Sequence, residues 1–166
     1  MNPDDLRALQ GPLKARYRET PQSALITLRA RGRLADGIAC NVETGRALVE
    51  AGLHPATGGS GLAACSGDML LQALVACAGV TMVAVATALD LEVRGMVQAE
   101  GDLDFRGTLG LGKEEGVPVG FTRIRLSFVL ENGLDQESLR TLQRLTERYC
   151  VVYQTLVGGV PVDVSL

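Results

Sequence analysis

A chain of 166 residues with 46% apolar and 21% charged side chains can bury one substantial core, which excludes the disordered and fibrous classes. A net charge of −3 and a pI near 5.2 supply neither the basic footprint of a nucleic-acid binder nor a polybasic membrane-binding face. One domain is expected over residues 1–166, with a helical extension at 1–20 and a core at 23–166.

The amino terminus has no basic start and no continuous apolar run, so it does not read as a secretory signal and a cytoplasmic address is expected. Asn2 and Pro3 look like a helix cap and first turn, and Leu6, Leu9 and Leu13 recur at helical spacing, with a break possible at Gly11-Pro12. Residues 23–31, "SALITLRAR", alternate as a strand does. After a turn in "GRLADG", Ile38, Cys40 and Val42 read as the inward side of a hairpin partner that exits at "ETGR". Residues 52–67 are too rich in glycine for regular structure and deliver the chain to Ser66, a fair helix cap.

"SGDMLLQALVACAGVTMVAVATAL" follows, and its uncharged stretch at 69–89 passes the length test for a membrane span. It is built mainly of alanine and valine, is flanked by Asp68 and Asp90, and has no Trp or Tyr at either end, so it is read as the central helix of a core or protomer interface. A strand is expected over 92–105, with Gly95 and Gly101 as possible bulges, then a loop, then the alternating strand "FTRIRLSFVLEN" ending at the turn Asn132-Gly133. Asp135 caps an expected helix with Leu139, Leu142, Leu145 and Tyr149 along one stripe. A short turn at "VVYQTL" and an edge strand at "VPVDVSL" close the chain.

Several candidate features read as structural. "GSGLAA" matches a dinucleotide fingerprint but lacks the preceding buried strand, so it reads as a loop. The single histidine, His54, is either a hydrogen-bonding loop residue or part of a pocket lining. Asp102, Asp104 and Arg106 read as a solvated strand face. The four cysteines, Cys40, Cys65, Cys77 and Cys150, show no CxxC pair and no ligand spacing, so neither zinc nor a disulfide scaffold is expected. Cys40 and Cys65 read most simply as packing residues.

Two segments carry a resemblance. "SGDMLLQALVACAGVTMVAVA", with its cysteine inside an apolar helix, and "ERYCVVYQTL", with its cysteine at a helix end, resemble the OsmC/Ohr family. That resemblance implies an α+β OsmC-like fold, with an antiparallel sheet around a long buried central helix in an interlocked homodimer. It also implies a thiol-dependent peroxidase. Cys77 would attack an organic or hydrogen peroxide, Cys150 would resolve the sulfenic acid as a disulfide, and a dithiol or lipoyl protein would reduce it, with no bound cofactor and no metal. A buried thiol needs donors or a cation to become a thiolate, and a second thiol keeps the sulfenic acid from irreversible oxidation. Where the family has Pro-Glu this sequence has "SGD", which makes Asp68 the nearest carboxylate. Residues 47–67 hold no arginine, leaving Arg46 as the choice for the family's activating arginine over Arg31, Arg33 and Arg148. The alternative is a non-catalytic OsmC-like dimer that binds a small hydrophobic ligand at its interface.

Overall fold

The computed structural model describes residues 3–35, 39–42, 51–131 and 133–165, folded as an α+β chain. In order come α1 (Pro3–Glu19), β1 (Leu25–Ala35), β2 (Ala39–Val42), α2 (Ser66–Ala88), β3 (Gly95–Asp104), the single turn α3 (Phe105–Thr108), β4 (Phe121–Leu130), α4 (Gln136–Tyr149) and α5 (Val151–Gly158). The strands form one four-stranded sheet in the order β2-β1-β3-β4. β1 and β2 pair antiparallel, with Leu34 opposite Cys40 and Ala35 opposite Ala39. β1 therefore runs on through most of the expected "GRLADG" turn. The side chain of Cys40, the exit at 43–46, Asn2 and Asn132 lie outside the described residues.

By contact the chain divides into two compact units, each assembled from three segments. The first unit comprises Met1–Arg29, Thr44–Leu71 and Glu100–Arg125. There α1 continues through Pro12 without breaking. The ring removes one helical N–H, and tertiary contacts hold the helix on both sides of it. Gln10 Nε2 donates to Thr57 O at 3.2 Å, and the buried Tyr17 hydroxyl donates to Ala56 O at 2.7 Å. The glycine-rich stretch at 52–67 is more ordered than its composition predicts. A 3-10 turn forms at Pro55–Thr57, and the Gly52 N–H donates to Ala64 O at 2.9 Å. No bulge is needed at Gly101, where the Phe121 ring packs against the position a side chain would take.

The second unit comprises Ala30–Glu43, Gln72–Ala99 and Leu126–Leu166. Its core joins Val85 and Ala86 of α2 to Leu142 of α4, with Leu91, Val93, Leu134 and Leu145 around them. On α4 the buried stripe is Leu142 and Thr146, whereas Tyr149 is 57% exposed, so the expected stripe ends one turn early. Strand β3 begins at Gly95, three residues later than expected, where φ is +146° and the β4 backbone at Val129 fills the space of a side chain. The "VVYQTL" segment is helix rather than turn, and residues 160–165 form no strand.

Helix α2 is long and apolar enough to cross a membrane by length and composition. Leu71, Leu74, Val75, Ala78, Met82, Val83, Val85 and Ala86 along it are buried within the protein itself. The first helical hydrogen bond runs from the Met69 N–H to Cys65 O, which makes Cys65 the cap and Ser66 the first helical residue. Its other end closes as a Schellman turn: Leu91 N–H to Ala86 O at 2.9 Å, Asp90 N–H to Thr87 O at 3.1 Å, and Asp90 at φ +55°.

Candidate functional site

The two thiols of interest both belong to the second unit. Cys77 sits half-buried in the middle of α2, and Cys150 is fully buried at the junction of α4 and α5. Cys150 ends one helix and starts the next. Its N–H donates to Thr146 O at 2.9 Å as the last bond of α4, and its extended backbone then turns the chain into α5.

A helix start leaves four N–H groups without a partner in the preceding turn. On α5 these groups bear on both cysteines. The Gln154 N–H donates to Cys150 O at 2.9 Å as the first bond of the helix, and among the groups before it the Tyr153 N–H donates to Cys150 Sγ at 3.5 Å, so the thiol sulfur is the cap. The N–H groups of Val151 and Val152 favour the anion of Cys77, and that of Val152 also favours the anion of Cys150. The Thr81 hydroxyl, one helical turn beyond Cys77 on α2, and the Cys150 thiol act in the same direction.

These donors decide which thiol ionises. Burial pushes the Cys77 thiol up, but the Val152 N–H, the Cys150 thiol, the Thr81 hydroxyl and the Val151 N–H together outweigh burial and hold it below its ordinary value. Cys150 moves the other way. Burial pushes it up to about 11; the Tyr153 N–H works against that, and the neighbouring Cys77 sulfur adds to the rise. The two shifts are therefore opposed: Cys77 ionises more readily than an ordinary cysteine and Cys150 less readily. Near it, the Thr146 hydroxyl is buried at 1% exposure and has no hydrogen-bond partner among the described residues.

The other sequence candidates fall elsewhere. Asp68, in the first turn of α2, belongs to the first unit. Burial raises its carboxyl, and the charge of His54 partly offsets that. His54 stacks on Phe105 at 4.8 Å, and its Nδ1 accepts the Ala56 N–H at 3.0 Å, so it serves as a hydrogen-bonded cap of the 3-10 turn. Arg46 lies outside the described residues. Arg31 and Arg33 are exposed, and Arg148 stacks over Tyr149 at 5.4 Å.

The acidic strand face is more than solvated charge. Asp104 is buried and gripped by Arg106 through Nε and Nη2, the latter at 2.6 Å. Burial opposes the Asp104 charge, yet Arg106 holds the carboxyl below its usual value. Asp102 accepts from Arg125 at 2.8 Å and from the Thr27 hydroxyl at 2.7 Å, fixing the sheet face of this unit. Among the described residues no group of three His, Cys, Asp or Glu side chains is placed to hold a metal ion.

Sequence reading missed Thr81 and the α5 N–H groups. Thr81 had a signal, since it stands four residues after Cys77 on the same helix face. The α5 donors had none once "VVYQTL" was taken for a turn.

Comparison with known proteins bears on this geometry at two levels. The family model described as OsmC-like protein matches residues 58–165, which spans both cysteines and every element from α2 onward. Among solved structures, the chain is similar to an OsmC-like hydroperoxide resistance protein from Jannaschia sp. CCS1. The TM-score is 0.55 at 15% identity, covering 85% of this chain and 91% of that one, which is a likeness of fold. No curated protein matches the chain.

Proposed function

The chain belongs to the OsmC-like family, and from that membership together with the thiol pair we propose that it is a thiol-dependent hydroperoxide reductase. The observation that carries the reading is the opposed pair in the second unit, with Cys77 held toward thiolate and the buried Cys150 held as thiol beside it. The Cys77 thiolate attacks the distal peroxide oxygen, the O–O bond breaks, and Cys77 becomes a sulfenic acid. Cys150 then displaces its hydroxyl, giving a disulfide and water. A dithiol or lipoyl protein restores both thiols. Donors from α5 and Thr81 take the part a cation plays at other reactive cysteines, so the reading does not depend on Arg46 or Asp68.

The protein is further read as a cytoplasmic homodimer built from one OsmC-like domain per chain. A second reading, a ligand-binding relative with inert thiols, draws on the burial that pushes both thiols up. Thiol titration before and after one equivalent of cumene hydroperoxide, with peptide mapping, separates the two. Loss of two thiols with a Cys77–Cys150 disulfide is expected; unchanged thiols would favour the binding protein.

A further inference from the structure

The outer face of α4 carries a row of positive charge. Arg140, Arg144 and Arg148 are exposed and stand four residues apart, one helical turn above another. The row therefore runs along about 12 Å of helix. Among the described residues no carboxylate forms an ion pair with any of the three. The acids of this segment are engaged otherwise. Asp135 caps α4 by accepting the Glu137 and Ser138 N–H groups, each at 2.9 Å, Glu137 stands in the first turn at the positive end of the helix, and Glu147 accepts from Gln143 Nε2 at 2.9 Å. Arg148, in the last turn, complements the negative end of the helix. Arg140 and Arg144 are too far from that end to do so, and like charges one turn apart weaken a helix slightly.

The row ends where Cys150 joins α4 to α5. Arg148 lies over the Tyr149 ring at 5.4 Å, and Tyr149 and Val151, the two residues that flank the buried Cys150, are 57% and 71% exposed. Tyrosine and arginine are the residue types that most often anchor protein interfaces, and here they border a sulfur that a reductant has to serve. The chain as a whole is acidic, at a net charge of −3. An acidic protein is repelled by such a chain at large and drawn to the one row that reverses the sign locally, which fixes where and in what orientation it lands.

We propose that Arg140, Arg144 and Arg148, with Tyr149 and Val151, dock the protein that reduces the oxidised thiol pair, and that this protein presents carboxylates around its dithiol. The proposal rests on the peroxidase reading above and names the partner that reading requires. One carrier thiolate attacks the Cys77–Cys150 disulfide, so that a carrier–protein S–S bond forms as the Cys77–Cys150 bond breaks. The second carrier thiolate then displaces the protein sulfur, and the two released protein thiolates take up the two protons the carrier thiols gave up. The chain is reduced by two electrons and the carrier is oxidised to its own disulfide. The arginines do no chemistry in these steps. They raise the rate of encounter, an effect that salt screens.

The test uses two synthetic dithiol peptides, identical except that four glutamates around a Cys-x-x-Cys in one are glutamines in the other. The protein is oxidised with one equivalent of cumene hydroperoxide, and loss of its disulfide is timed by quenching and peptide mapping with each peptide. Each rate is referred to the rate with dithiothreitol in the same protein. At low salt the glutamate peptide is expected to reduce the wild type about 10-fold or more faster than the glutamine peptide. That advantage should collapse in about 0.5 M salt, and also in a variant combining Arg140→Gln, Arg144→Gln and Arg148→Gln. Equal rates for the two peptides on the wild type, or an advantage that survives both salt and the triple variant, overturn the proposal. A triple variant that changes mass in light scattering assigns the face to a second copy of this chain and overturns it too. A protein in which hydroperoxide forms no Cys77–Cys150 disulfide overturns the peroxidase reading, and this proposal with it.

Discussion

At Cys77 the contest is between burial, which favours the neutral thiol, and four donors, which favour the anion. The donors win, so iodoacetamide at neutral pH is expected to alkylate Cys77 ahead of Cys150, as read by peptide mass mapping. Cys150 should resist until the pH approaches about 11. The same raised value has a stability consequence. A group whose folded value lies above its ordinary 9.0 contributes stability that is whole below pH 9 and is lost as pH rises through about 11. The reduced protein should therefore lose unfolding free energy across that window, and Cys150→Ser should lack that component of the loss in denaturant titrations. Thr81 offers a finer probe. Thr81→Val keeps the shape and removes one hydrogen bond to a charged sulfur, an effect of about 1.5 kcal/mol or about one pKa unit upward for Cys77. Thr81→Ser should restore the thiolate, and a pH profile of alkylation rate reads both. The two cysteines were legible in the sequence because their contexts, an apolar helix and a helix end, are distinctive. Thr81 was not singled out because a threonine in an apolar helix reads equally as a residue bonding its own backbone, as Thr87 does to Val83 O at 2.8 Å.

Among the elements, α5 departs furthest from the sequence reading and matters most to the site. Its first residues, Val151 and Val152, are β-branched and favour strand by propensity. The helix forms because Cys150 caps one end and Gly159, at φ +60°, closes the other. Nothing in α5 is buried, so its place depends on those caps and on packing against α4. This allows a single donor to be removed cleanly. Proline suits the first position of a helix, where it deletes only an N–H that has no helical partner. Val151 is exposed, and Cys150 before it already has an extended backbone. Val151→Pro should leave the circular dichroism spectrum unchanged and raise the pKa of Cys77; an unshifted alkylation profile would mean that the Val151 N–H contributes nothing to the thiolate. At the far end of α2, Asp90 holds a left-handed backbone that glycine adopts without strain. Asp90→Gly should stabilise the fold by about 0.5–1 kcal/mol, seen as a rise in Tm of about 1–4 °C. The chain's last segment shows why alternation alone misleads. Val160, Val162 and Val164 alternate as an edge strand would, but no described strand pairs with them, and Val162 and Val164 are 80% and 85% exposed. A pattern encodes a face and says nothing of what will cover it.

For the whole molecule, what the sequence conveyed best was class and layering: helices with a sheet, and one long apolar helix. It conveyed less about how long elements are shared between the two compact units, because unit boundaries depend on contacts between segments far apart in the chain. The long helix explains the proposed dimer. While one side of α2 is buried within the protein, Met69, Leu70, Ala73 and Val80 remain exposed in the single chain. Met69, Ala73 and Val80 fall along one stripe by helical spacing, and Cys77 lies beside it, between Ala73 and Val80. An apolar stripe at the centre of a 23-residue helix needs a cover, and a second copy of the same stripe supplies one that is self-complementary. A carboxylate placed there tests the idea with little cost to the lone chain, since Ala73 is exposed in it. In a dimer, Ala73→Glu would bury two like charges facing each other, at a cost of several kcal/mol per ion. Light scattering on the wild type is expected to give twice the 17.5 kDa chain mass, and Ala73→Glu to give the single chain mass with circular dichroism unchanged. A wild type that elutes at 17.5 kDa at micromolar concentration would show that the stripe has no second copy on it.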